Sequence, residues 1–132
     1  MSLPIEYSRL NLLALAKTKR QRQYKAQLLI IRYGELNIRL GKTLITLNQA
    51  QSIWLPHDCL YAIESITASQ IDILAFSARV TASLPTTLCQ CTTPSLLPVL
   101  IDELMTIDKT TTSAQHLLQV CLDQVHKLTK HH

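Results

Sequence analysis

Glycine is nearly absent from this chain of 132 residues: Gly34 and Gly41 are the only two. A phosphate-binding loop or a dinucleotide fingerprint needs several glycines at fixed spacing, so neither can be present, and no GxSxG nucleophile turn occurs. Aromatic residues make up 5% of the chain, too few for a sugar-stacking surface, and no aromatic-glycine interleaving of the kind that stacks bases is found. Four cysteines (Cys59, Cys89, Cys91, Cys121) are too few and too scattered for a disulfide framework. Cys89-Gln90-Cys91 could form half of a thiolate metal site, but no second close pair exists, and the cysteines read as reduced, partly buried thiols. Long apolar runs are missing too. Leu28 to Ile31 is broken by Arg32, far short of the roughly 18 residues a membrane span needs. The start, MSLPIEYSRL, shows no cationic segment before an apolar block, so no signal peptide is expected. A soluble, cytoplasmic protein of one domain, without a membrane partner, is the expectation.

Charge is also scarce at 17%, against 47% apolar residues, which argues against disorder. The net charge of +4 is local in origin. Lys17, Lys19, Arg20, Arg22 and Lys25 fall within nine residues that hold no acid, and the remainder carries 8 bases against 9 acids. A phosphate-backbone footprint is one reading. A solvated strand end or loop is the favoured one, because no recognition helix lies near.

Period-two patterning dominates the first part of the chain. Ser8 to Ala16 suits an early strand. Gln21 to Tyr33 suits another, with Gln21, Gln23, Lys25, Leu29, Ile31 and Tyr33 on one face and Leu28 and Ile30 on the other, so its second half is expected to be buried on both sides. Gly34 permits a turn, and Gly41-Lys42 fits a two-residue hairpin turn between Glu35–Leu40 and Thr43–Leu47. Ser52–Leu55 is a short strand stopped by Pro56. Leu60–Ile66 and Ile71–Val80 complete the set. Many short strands separated by turn signals predict a barrel or sandwich.

Ala82–Pro94 reads as a polar, threonine-rich connection. Ser95 can cap a helix running to about Ile107, with Pro98 tolerated in its first turn. A second helix starts at Ser113. Ala114, Leu117, Leu118, Cys121, Leu122, Val125 and Leu128 form one apolar stripe along it. The fold class is thus mainly β with C-terminal α: a small β-barrel over residues 1–82, a connecting loop over 83–94, and a helical segment over 95–132 packed on the barrel.

Together these features resemble the N-terminal, cupin-type ligand-binding domains of AraC-family transcription regulators. The likeness is carried by Gln27-Leu28-Leu29 seven positions before Gly34, by Trp54-Leu55-Pro56 closing the next hairpin, and by the helices beginning Ser95-Leu96-Leu97 and His116-Leu117-Leu118. It implies a cupin-like barrel that senses a small-molecule effector, with two helices that mediate homodimerisation. Many cupins hold a metal with a His-x-His pair shortly before the position of Gln27 and a third histidine after the Trp-x-Pro. Here those places read Gln21, Gln23 and Lys25, and then Tyr61, with His57 as a lone imidazole. The barrel is therefore expected to hold neither metal nor other cofactor and to be no enzyme. The family's two helix-turn-helix units would follow the helices, but the chain stops at Lys130-His131-His132. It is expected to be either a fragment of a longer regulator, reaching DNA only through that missing part, or a free-standing domain.

Candidate site residues follow. A ligand in the barrel could be oriented by Gln27, Tyr61 and Trp54, with Gln23 and Lys25 near the mouth, and an inward-pointing Lys25 would favour an anion. Trp54 and Tyr61 could equally be core aromatics. Leu117, Leu118, Cys121, Leu122, Val125 and Leu128 are the expected dimer interface, since a two-fold pairing of this helix is what the resemblance implies; packing on the first helix is the alternative. His116 and His126 lie about 80° apart around the helix, which argues against a shared metal. The runner-up function is a stand-alone cupin enzyme or small-molecule-binding protein; a solid interaction module is a third reading.

Overall fold

A computed structural model describes residues 5–77, 84 and 87–129 of the chain. Among the described residues nine strands precede two helices: β1 (Ile5–Leu12), β2 (Gln21–Gln23), β3 (Ala26–Tyr33), β4 (Leu36–Leu40), β5 (Thr43–Leu47), β6 (Gln51–Leu55), β7 (Cys59–Ser65), β8 (Ser69–Phe76), β9 (Cys89–Thr92), α1 (Leu96–Leu104) and α2 (Thr112–Thr129). They divide into two compact units, residues 1–92 and 93–132.

The first unit is a two-sheet β structure. A five-stranded sheet runs in the order β1-β8-β3-β6-β9, and a four-stranded sheet in the order β2-β7-β4-β5, with every pairing antiparallel. Alternate side chains from both sheets meet in one core: Leu29 and Ile31 of β3, Leu36 and Ile38 of β4, Leu47 of β5, Ile53 and Leu55 of β6, Tyr61 and Ile63 of β7, and Ile71 of β8. Burying each such chain is worth about 1.5–3 kcal/mol. The opposite face of the five-stranded sheet is also buried, through Ile5, Tyr7, Leu28, Ile30, Trp54, Leu74 and Phe76. β3 is therefore buried on both sides along most of its length, as its unbroken apolar run predicts. On that second face Trp54 packs on Phe76 with ring centroids 5.5 Å apart. Asp72, fully buried, accepts from Arg9 Nε at 2.7 Å and from Arg32 Nη1 at 2.9 Å, tying β1, β8 and β3 together.

Both glycines mark turns. Gly41 opens the β4–β5 hairpin at φ +59, and a Cβ there would meet nothing within 4 Å. Gly34, at φ +95, lies so close to the next connection that a Cβ would sit 2.3 Å from Ser69 Oγ and 2.5 Å from the Ala68 carbonyl.

Three expectations change. Gln21–Tyr33 is not one strand: the chain turns at Tyr24-Lys25 and leaves the four-stranded sheet for the five-stranded one. Its polar half suits a half-exposed edge and its apolar half a doubly buried centre, so one straight strand could not serve both. The threonine-rich connection contains β9, an edge strand paired to β6. The early strand ends at Leu12, and Leu13 and Leu15 are 81% and 79% exposed, Leu15 with a left-handed φ of 61. The strand expected over Ile71–Val80 starts at Ser69 and ends at Phe76, with Ser77 outside it, and residues 78–80 lie outside the described residues.

In the second unit α1 and α2 pack on each other. Ser95 occupies the cap position of α1 without a side-chain capping bond, and the helix ends at Leu104 rather than Ile107. Thr111 caps α2, its Oγ1 accepting from Ala114 N at 3.2 Å. Among the described residues no helix is long and apolar enough to cross a membrane.

Candidate ligand cavity

A cavity of about 340 Å³ opens between the two sheets of the first unit, lined by Leu10, Thr18, Lys19, Gln21, Gln23, Gln27, Tyr61, Ile63 and Ile73. Its floor is a polar pair. The Tyr61 hydroxyl of β7 donates to Gln27 Oε1 of β3 at 2.5 Å, across the gap between the sheets. Both side chains are buried, Gln27 at 9% exposure. Burial first, and the Cys59 thiol second, push the Tyr61 phenol up to about 12. The tyrosine therefore keeps its proton and fixes the amide: Gln27 Oε1 accepts, and Nε2 is left to the cavity without a protein partner among the described residues.

The wall is apolar on the side of Leu10, Ile63 and Ile73 and polar toward the mouth, where Gln23, Gln21 and Lys19 follow one another on the same face of β2 and its approach. That approach is anchored to β7. Thr18 N donates to the Ile63 carbonyl at 2.9 Å, Thr18 Oγ1 accepts from Ile63 N at 2.8 Å, and Ser65 Oγ donates to the Leu13 carbonyl at 2.5 Å while accepting from Ala16 N at 2.9 Å. Lys19 is thereby held at the rim. The lining contains no carboxylate, imidazole or thiol, so what it offers a guest is hydrogen bonds, one ammonium group and an apolar wall. Among the described residues no three His, Cys, Asp or Glu side chains converge on a common point.

Of the residues singled out in the sequence, the structure brings Gln27, Tyr61 and Gln23 together. It removes Trp54 and Lys25. Trp54 faces the other side of its sheet, because its neighbours Ile53 and Leu55 take the interior positions. Lys25 sits at the corner between β2 and β3 and pairs with Glu6 at 2.8 Å. Lys19 and Gln21 supply the mouth instead. Both are reached by counting back in twos from Gln23, so the alternation held the signal; Thr18 owes its place to backbone bonds and could not be read. In the basic cluster Arg22 lies 3.4 Å from Asp58, and the backbone at Lys17 pairs antiparallel with that at Glu64, as suits a solvated sheet edge.

The α2 stripe is already occupied. Leu118, Cys121, Leu122 and Val125 are buried within the single chain, Leu117 is half-buried, and the side chain of Leu128 lies outside the described residues. Packing within the chain takes up Leu118, Cys121, Leu122 and Val125, which leaves these four little surface for a partner.

No protein-family profile and no curated protein matches the sequence. Solved structures do. ToxT from Vibrio cholerae strain SCE256 superposes with a TM-score of 0.70 at 8% identity, over 91% of this chain and 53% of ToxT. A cupin superfamily protein from Desulfitobacterium hafniense gives 0.54 at 16%, over 58% of this chain and 70% of that one. Bacillus subtilis oxalate decarboxylase, with Mn(II) centres, gives 0.53 at 9%, over 56% of this chain and 21% of the enzyme. At these identities the likeness speaks to fold. The fold is a cupin-like two-sheet β structure followed by two helices, and the chain spans about half the length of ToxT.

Proposed function

We propose that this chain is the effector-sensing domain of an AraC-type transcription regulator, binding a small molecule in the cavity and catalysing nothing. The observation that carries this reading is the half-satisfied Gln27 amide on the floor of a cavity whose lining holds hydrogen-bonding groups and no carboxylate, imidazole or thiol. A guest that covers this donor must offer it an acceptor, because a donor desolvated without a partner is costly. Extent of match adds support: ToxT, an AraC-family regulator, matches over 91% of this chain, whereas the cupin proteins match over little more than half of it. In this reading the protein acts in the cytoplasm. DNA is reached through a part of the regulator outside this chain, and the helical unit mediates self-association.

The test is a thermal-shift screen against small metabolites, on wild type and on Leu10→Trp, which fills the cavity from its apolar wall. A ligand at about a hundred times its Kd should stabilise the native state by about 2.7 kcal/mol. That gain should vanish in the tryptophan variant. A broad screen with no shift in wild type, or shifts that survive the filled cavity, would defeat the sensor reading.

A further inference from the structure

We infer that the cavity selects a small organic anion that also carries a neutral hydrogen-bond acceptor, such as an oxo-monocarboxylate, an inference that rests on the cavity being a ligand site. Charge sets the first half. Lys19 is the one charged residue of the lining. Two of its neighbours in the basic cluster are paired elsewhere, Lys25 with Glu6 at 2.8 Å and Arg22 with Asp58 at 3.4 Å, and neither Lys17 nor Arg20 lines the cavity. Lys19 has no carboxylate partner among the described residues, and it stands at the mouth, where it would meet an anion's charged end.

Depth sets the second half. Gln27 is nine-tenths buried, and the Tyr61 bond turns its amide so that the NH₂ faces inward. A donor fixed in this way selects an acceptor, a ketone or ether oxygen, and rejects a methyl or methylene that would leave it unpaired. Between the two ends, Leu10, Ile63 and Ile73 suit a short hydrocarbon segment. A long acyl chain fits poorly, because it would press hydrocarbon on the Gln23 and Gln27 amides. A sugar fits poorly as well: Tyr61 is the single aromatic ring of the lining and its hydroxyl is engaged. A metal cation is disfavoured by Lys19.

The experiment is isothermal titration of the whole chain with the oxo-acids from 4-oxopentanoate to 7-oxooctanoate, their primary amides, and the plain carboxylates of equal length. At least one oxo-acid should bind, with its amide and its plain carboxylate each at least tenfold weaker. Lys19→Met, an exposed position, should weaken the acid at least tenfold and leave the amide unchanged; Lys17→Met should change neither. Equal binding of acid and amide, or a Lys19→Met effect shared by both, overturns the anion assignment and leaves the cavity as a ligand site. Failure of every oxo-acid also overturns it, while the sensor reading is decided separately, by the broad thermal screen on wild type and Leu10→Trp.

Discussion

Tyr61 is the side chain on which the cavity turns, because a phenol buried between two sheets and bonded to an amide decides which way that amide points. Its folded value of about 12 lies above the ordinary value near 10. Below pH 10 the phenol is protonated whether the chain is folded or not, and its contribution to stability is fully present. As pH rises from 10 toward 12 the unfolded chain gives up the proton first, so that contribution is lost. Denaturant titrations across this range should show a decline that is shallower in Tyr61→Phe. Near neutral pH the same substitution removes one hydrogen bond and should cost about 1 kcal/mol. Asp72 is a second residue with a clear expectation. Asp72→Asn leaves Arg9 and Arg32 facing each other without the carboxylate, and should cost about 3 kcal/mol by urea unfolding. Only half of the site could be read from the sequence. Gln23, Gln27 and Tyr61 followed from alternation and from the resemblance. Trp54 was misplaced because β6 is apolar on both faces, so nothing in its pattern tells inside from outside.

Among the elements, the turns and α2 make the sharpest contrasts. Gly34→Ala must both strain a φ of +95 and drive a Cβ into Ser69 and the Ala68 carbonyl, whereas Gly41→Ala meets open space and bears only the left-handed φ. The second should cost about 1 kcal/mol and the first distinctly more, measured as midpoints of chemical denaturation. On α2, Leu118→Glu places a charge at a buried position and should unfold the helical unit, while Gln115→Glu, on the exposed side, should change stability by less than about 0.5 kcal/mol. Circular dichroism separates the two. Strand existence was legible nearly throughout, because Leu36-x-Ile38-x-Leu40 and Ile71-x-Ile73 alternate cleanly and Gly41 and Pro56 punctuate them. The corner at Tyr24-Lys25 and strand β9 were not. A corner without glycine or proline leaves no compositional mark, and β9 draws its existence from the partner β6 rather than from propensity.

For the molecule as a whole, self-association through the helical unit would have to use side chains that stay exposed: Leu96 and Val99 of α1, Val99 at 62%, and Val120 of α2. Sedimentation velocity should find wild type as a dimer and Val99→Glu with Val120→Glu as a folded monomer; a wild type that is monomeric at all concentrations removes this part of the proposal. Strand β5 carries a different consequence, one for handling. It forms an edge of its sheet, reads Thr-Leu-Ile-Thr-Leu with no charge or proline between Lys42 and Asn48, and leaves Leu44 45% exposed. Such a strand lacks the usual safeguards against joining a neighbour's edge. In concentrated solution it is where filaments or precipitate should nucleate, and a lysine at position 44 should raise the concentration at which the protein stays clear.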